Sequence, residues 1–271
     1  MSESIAVIPS SGNHAIEVMA FGLEFDRQFD SKAINAVETY YDQSDGLKLL
    51  LPESEKLTGI SVTVDGKSQS VNIGNNGLRM SKKDGEKTPA WVVDVRQNII
   101  SCSCFVYDRW AVARDIATEI ILPICKIITG ESIAIQAIGL QYQDVFRVAT
   151  NDLMRGTARL FRDDGEWLNN HASSESNPWH IHQGWFSKDS RNRRVHNLLN
   201  IDATLDVHKG ECIFRVTGQH RLLNKTENGL NDTDLDINDI SSAWDDLHGK
   251  NKDILLSLIS DSVSRQIGLP G

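Results

Sequence analysis

The sequence predicts an α+β fold: an antiparallel β-sheet of long hairpins with helices packed on one face, closed by a long C-terminal amphipathic helix. Three observations predict it. The stretches 60–73 and 197–223 alternate apolar and polar residues on either side of a tight turn, the pattern of half-buried paired strands. The stretches 108–128 and 240–267 instead repeat apolar residues at helical spacing. Hydrophobic residues at 40% and charged residues at 24% are those of a chain that buries a core rather than staying disordered.

The elements follow in order. Residues 15–25, AIEVMAFGLEF, read as a strand. Residues 31–42 read as a short helix with Ala33, Ile34, Val37 and Tyr41 on one side, capped by Asp30 or Ser31. Asp65-Gly66 divides ISVTV from KSQSVNI and predicts a hairpin turn. A second turn in KKDGEK, 82–87, leads to strands at 90–95 and 99–105. The helix at 108–128 takes Asp108 as its N-cap and carries Trp110, Ala113, Ala117, Ile120, Ile121 and Ile124 on one stripe; Pro123 is expected to kink or shorten it. A strand at 132–148 and a weakly helical stretch at 152–162 come next. Residues 163–178 are polar and turn-rich, and they mark a long loop or a subdomain boundary inside a single domain spanning 1–271.

The clearest pattern lies in 197–223. With Lys209-Gly210 as the loop, His208 faces Glu211, and one face carries Leu199, Ile201, Ala203, Leu205, Val207, Cys212, Phe214 and Val216. The other face carries Asp202, Thr204, Asp206, His208, Glu211, Arg215, Thr217 and Gln219, with Ile213 the exception. WHIHQGWF, 179–186, adds a third strand through the loop KDSRNRR. The closing helix runs over 240–267, capped by Asn238 or Asp239. Its stripe is Ile240, Trp244, Leu247, Ile254, Leu255, Leu258, Ile259 and Val263, interrupted at Gly249 and ended by Gly268 and Pro270. The two halves share a loose strand-hairpin-helix order, so two pseudo-similar halves are compatible with the pattern.

Charge and cysteine usage narrow the function classes. Thirty-seven acidic and 28 basic residues give a net charge of −9, which favours solubility and opposes non-specific coating of nucleic acid, while leaving room for a local basic patch. Cys102, Cys104, Cys125 and Cys212 contain no CxxC pair and read as reduced core residues. The start, MSESIAVIPSSGNHAIEV, lacks a signal peptide's basic and apolar segments, and no run approaches membrane-spanning length. A cytoplasmic protein without a membrane association is the expectation.

Four groups of residues carry candidate chemistry. His180 and His182 form an H-x-H that sends both imidazoles to one strand face, with His196, His208 or Glu211 as a third metal ligand from a neighbouring strand. Trp179 and Trp185 then point to the opposite, core face. Asp232, Asp234, Asp236 and Asp239 are spaced like the start of a calcium loop, but Ile237 replaces the turn glycine and Ala243 the bidentate glutamate. An acidic lead-in to the last helix is the better account. The polar hairpin face with Asp202, Asp206, His208, Glu211 and Arg215 has the residue types of a hydrolytic metal site, and equally those of a solvated sheet face. Lys188, Arg191, Arg193 and Arg194 concentrate positive charge in one loop, suited to a phosphate or an acidic partner. No glycine-rich loop, dinucleotide fingerprint or nucleophile elbow is spelled, so no cofactor is expected.

Three stretches resemble a sporadically distributed prokaryotic family of uncharacterised proteins of similar length. They are RQNIISCSCFVYDRW, with Tyr107 and Trp110 in a Tyr-x-x-Trp pattern; AIGLQYQDVF, with Gly139, Leu140 and Tyr142; and Leu247-His248 before the apolar helix. The chain departs from the family pattern at Gln141 and Asp144, where arginine and asparagine are expected, and has Leu255 or Leu256 in place of a phenylalanine. The resemblance implies architecture and an accessory gene on a mobile or defence island. The leading functional expectation is a non-catalytic binding or interaction protein with a protein partner, of the immunity, antitoxin or defence-accessory kind. Lys188, Arg191, Arg193, Arg194, Asp202, Asp206 and Arg215 are its expected interaction surface. The alternatives are a metal-dependent hydrolase or nuclease on the 197–223 hairpin, and a small-ligand binder with a pocket near Trp110, Trp244 and Tyr142.

Overall fold

The computed structural model describes residues 5–65, 68–85, 87–163, 166–169, 172, 174–224 and 235–269, with side chains described outside 59–75. Among these residues there are ten strands and six α-helices. The strands are β1 (Val7–Pro9), β2 (Ile16–Phe25), β3 (Glu53–Asp65), β4 (Ser68–Asp84), β5 (Thr88–Arg96), β6 (Ile99–Cys104), β7 (Ile135–Val148), β8 (Trp179–Lys188), β9 (Arg194–Asp206) and β10 (Glu211–Leu223). The helices are α1 (Ser31–Gln43), α2 (Asp45–Leu50), α3 (Trp110–Gly130), α4 (Leu153–Leu160), α5 (Ile240–Leu258) and α6 (Asp261–Gln266). The strands hydrogen-bond in the order β3-β4-β5-β6-β2-β7-β10-β9-β8, with β1 on β7. The fold is α+β, built on antiparallel hairpins, as the alternating patterns predict.

The chain is organised in two compact units. One is formed by residues 1–19, 140–222 and 245–271, the other by 20–139 and 223–244. The cuts fall inside β2, β7, β10 and α5, so neither unit is one continuous piece of sequence.

In the second unit, α1 begins on Asp30, whose carboxylate accepts from the Ala33 amide at 2.8 Å, and buries Ala33, Ile34, Val37 and Tyr41. The β3–β4 hairpin closes with Asp65, the first residue of the predicted turn, paired opposite Ser68; Gly66, its second residue, and Lys67 lie outside the described residues. Helix α3 differs from expectation at both ends. Arg109 rather than Asp108 is its N-cap and makes no side-chain capping bond, and the helix continues through Pro123 to Gly130. Its packing explains the persistence: Ile120, Ile121, Ile124, Cys125 and Ile128 are all buried, which outweighs the one backbone donor that proline removes.

The first unit has a core of Phe146, Leu160, Phe161, Leu199, Ile201, Ala203, Cys212, Phe214 and Val216, against which Leu255, Leu258, Ile259 and Val263 pack. The predicted inner face of the 197–223 hairpin and the last predicted helix therefore meet. The helix is not continuous, however. Arg162 donates to the Leu258 carbonyl and Ser260 to the Leu160 carbonyl, at 3.0 and 2.8 Å, so Ile259 leaves the helix to form a bridge with Phe161. The chain re-enters as α6, which Gly268 ends at φ +72° with the Leu269 amide on the Ser264 carbonyl, a Schellman arrangement. The N-terminal end also moves: a 3₁₀ turn at Ile237–Asp239, capped by Asp236 in a capping box with Asp239, precedes α5.

The β9–β10 register is shifted by two residues from the predicted one. Asp206, not His208, lies opposite Glu211, and Val207 to Gly210 form a four-residue loop. A two-residue turn of the favoured hairpin type needs positive φ at both central residues, and here Gly210 alone supplies it, at +66°. Asp206 organises the longer loop instead, its carbonyl accepting from the Gly210 amide at 2.8 Å and its carboxylate from the Lys209 amide at 3.2 Å. A shift of two leaves the residues that stay in the strands on their predicted faces, but it places His208 in the loop together with Val207, which is 83% exposed instead of in the core.

Candidate functional site

The site lies in the first unit, on the three-stranded section β8-β9-β10. Alternation gives this section two unlike faces. The inner face turns Ile181, Val195, Leu199, Ile201, Phe214 and Val216 into the core, with Trp179 and Trp185 packed at its border. The outer face carries His180, His182, Gly184, Phe186 and Lys188 from β8; Arg194, His196, Leu198, Asn200 and Asp202 from β9; and Arg215, Thr217, Gln219 and Arg221 from β10.

The inner face is unexpectedly polar at one end. His220 is fully buried; its Nδ1 lies 2.9 Å from Asn197 Oδ1 and its Nε2 3.1 Å from Oδ1 of Asn251 in α5. Asn197 donates through Nδ2 to Ser187 Oγ at 2.9 Å, so its oxygen is the group that accepts from His220 Nδ1–H. Burial lowers the His220 pKa from its ordinary 6.5 to about 4 despite the raising effect of Asn251. Nε2 likewise faces a carboxamide oxygen, Asn251 Oδ1, whose acceptor character favours a proton on the ring and accounts for its raising effect. Gly218 makes this approach possible, because a Cβ there would overlap the Asn251 carboxamide. One helical turn earlier, His248 Nδ1 meets the Tyr142 hydroxyl at 2.7 Å, and burial likewise lowers the His248 pKa to about 4. Asp144 lies on the same face of β7 as Tyr142, 3% exposed, and burial pushes its carboxyl up to about 7. These groups form a polar layer under the sheet. Bridged side chains from Ser187 through Asn197 and His220 to Asn251 tie β8, β9 and β10 to α5 and hold the outer face rigid.

The β8–β9 connection is held in the same way. Asp189 accepts from the amides of Arg191 and Arg193 at 3.0 and 2.7 Å, and from Arg193 Nε at 2.7 Å. The Arg193 and Asp189 side chains are 6% and 1% exposed. Arg193 thus departs from the expected exposed set: it is the buried partner of the carboxylate that shapes the loop. Lys188 bonds the Asn192 carboxamide at 2.7 Å, with Asn192 at φ +65° at the loop's tip.

Beside this loop stands an exposed aromatic group. Phe186 is 54% exposed, the Arg194 guanidinium lies 3.7 Å from its ring centroid, and the His196 ring stacks on it at 4.9 Å with planes 29° apart. Burial, followed by the charges of Arg221 and Arg194, lowers the His196 pKa.

The other predicted ligands do not gather. His180 and His182 are exposed and lie opposite Asp202 and Asn200, with His182 hydrogen-bonded to the Asn200 carboxamide. His208 sits in the β9–β10 loop, and Glu211 lies opposite Asp206 and 3.8 Å from Arg147. Asp206 is four residues beyond Asp202 along β9, roughly 13 Å at strand spacing. Among the described residues no group of three histidine, cysteine, aspartate or glutamate side chains is placed to hold a metal ion. Asp232 and Asp234 lie outside the described residues, and Asp236 and Asp239 serve as caps. Trp244 and Tyr142, proposed pocket walls, are 0% and 1% exposed, with Trp244 donating to the Gly139 carbonyl at 3.0 Å. All four cysteines are buried and unpaired. Sequence reading missed Phe186 as a site residue because it counted the ring among the apolar residues of a third strand; its position after Trp185 on the alternating pattern was the available signal. No helix is long and apolar enough to cross a membrane among the described residues.

No family model matches the chain, and no curated protein matches it.

Proposed function

We propose that this chain is a non-catalytic binding protein whose ligand seats on the outer face of β8–β10. Phe186 is the observation that carries the reading. A large ring left 54% exposed on a sheet face withholds apolar area from the core, yet it is held in one place by Arg194 and His196. Aromatic and arginine side chains, fixed on a rigid element, are the groups that dominate binding energy at recognition surfaces. The polar layer beneath supplies that rigidity. An immunity, antitoxin or defence-accessory role is the setting we assign to such a protein, on the resemblance of Tyr107-x-x-Trp110, Gly139-Leu140-x-Tyr142 and Leu247-His248 to a sporadic prokaryotic family.

Hydroxyl-radical footprinting of the purified protein, alone and in clarified extract of its native host, tests the reading. Phe186 and its neighbours on β8 and β9 should lose reactivity in the extract. Unchanged reactivity there, with protection elsewhere, overturns it.

A further inference from the structure

From the geometry of this face we infer that its ligand is a single-stranded nucleic acid, with a base seated against Phe186 and the phosphates drawn to Lys188, Arg194 and Arg221; the inference rests on the binding reading above. The register sets the arrangement. Lys188 lies opposite Arg194, and on the next rung Phe186 lies opposite His196, which lies opposite Arg221. Two rungs roughly 7 Å apart therefore place three cations around one aromatic stack. On the following rung β8 has Gly184, where an added Cβ would stand 3.0 Å from Leu198 Cδ2 and 3.9 Å from His196 Nε2. Leu198 therefore lies over Gly184 and adds aliphatic surface beside the Phe186–His196 stack. A planar, apolar-faced group suits this aromatic and aliphatic surface, and cations at its border suit an anionic backbone.

Charge decides between ligands. In a chain of net charge −9, a local concentration of Lys188, Arg194 and Arg221 is directional, attracting an anion to this end of the face and not to the whole surface. An acidic peptide would satisfy the cations but not the aromatic stack, whereas unpaired bases have exposed ring faces that stack on aromatic side chains and guanidinium planes. A duplex hides those faces. Single strands are the polyanions that offer both features.

Fluorescence anisotropy of the whole protein with labelled oligo-dT and oligo-U of about 15 nucleotides tests the inference, against a duplex of equal length and a polyglutamate competitor. Binding to the single strands should weaken with salt at a log–log slope of roughly −2, as expected for about three phosphate contacts. Phe186→Ala should weaken it roughly tenfold and Phe186→Leu nearly as much, since leucine restores apolar bulk without a π-face. Arg194→Ala with Arg221→Ala should flatten the slope by roughly one. Thermal melts confirm that each variant is folded, and a variant that melts early is replaced by Phe186→Gln, which keeps side-chain length without the ring and should give the same loss. No binding, equal binding of the duplex, displacement by polyglutamate at equal charge, or indifference to Phe186→Ala each overturns the inference. If the oligonucleotides fail while Phe186 remains protected in nuclease-treated extract, the nucleic-acid assignment falls and the binding reading stands.

Discussion

At the scale of the residue, the groups that matter most are polar ones in buried places. His220 sets its two ring nitrogens against the carboxamide oxygens of Asn197 and Asn251, and the second approach is possible only because Gly218 has no side chain. Asn251→Ala should cost roughly 1–3 kcal/mol, the penalty for leaving a buried polar atom unmet. Gly218→Ala should cost a similar amount by displacing the same carboxamide. Made together, the two changes should cost clearly less than their sum, because alanine at 251 removes what the new Cβ strikes. Urea unfolding of the four proteins reads the coupling, and strict additivity would separate Gly218 from Asn251. Asp189 offers a sharper contrast. Asp189→Asn leaves Arg193 buried without its carboxylate, so a loss of roughly 3–5 kcal/mol is expected, measurable in the same way. Asp202→Asn, on the exposed face, should change stability by roughly 0.5 kcal/mol or less. In the sequence Arg193 and Arg194 are indistinguishable neighbours; strand alternation, which turns one inward and the next outward, separates them.

At the scale of the element, what could be read in advance depended on whether a feature is local. The α1 stripe, its Asp30 cap and the inner face of β9–β10 were all legible, since side-chain period and capping chemistry are written in consecutive residues. The β9–β10 loop was legible only to within two residues. Lys209-Gly210 looks like a tight turn, but the carboxylate of Asp206 and the single left-handed glycine favour four residues. The break between α5 and α6 was not legible at all, because its cause is Phe161, almost a hundred positions away in sequence. Likewise the outer face could be listed from the alternation, but the juxtaposition of Phe186 with Arg194 and His196 needed the β8–β9 register. Helix α3 gives this scale its own prediction. Pro123 sits at a half-buried position in a helix that continues for seven more residues, so the backbone already has the conformation alanine prefers. Pro123→Ala should therefore stabilise the protein by about 1 kcal/mol or more, raising Tm by roughly 2–4 °C. A lower Tm would mean that the proline ring's packing outweighs the restored donor.

At the scale of the whole molecule, the chain passes three times into the unit that carries the site, and the buried polar layer joins the second and third of those passages. Tyr142 comes from the second and His248 from the third, and their 2.7 Å contact unites two of the motifs on which the family resemblance rests. This layer should govern how stability depends on pH. His220, with its pKa near 4 in the fold against 6.5 when exposed, binds a proton more readily unfolded than folded. The stability it contributes is complete above about pH 6.5 and is lost as pH falls towards 4; His248 acts in the same direction. Asp144 acts oppositely. Its carboxyl titrates near 7 in the fold and at 3.8 when exposed, so the fold binds its proton more tightly, and the stability it contributes at low pH is lost as pH rises from 3.8 through 7. Below pH 6.5 the two histidines outweigh the one carboxyl and stability should climb with pH. Above it the carboxyl acts alone, and stability should sag towards pH 8. Asparagine at 144 has the same shape and never carries the charge. Asp144→Asn should accordingly remove the sag, leaving the protein more stable than the parent at pH 8 and little changed at pH 4, as urea midpoints across that range would show. A variant that instead loses stability equally at both ends would mean that Asp144 is held by a bond its ionised form makes, and that burial does not set its pKa.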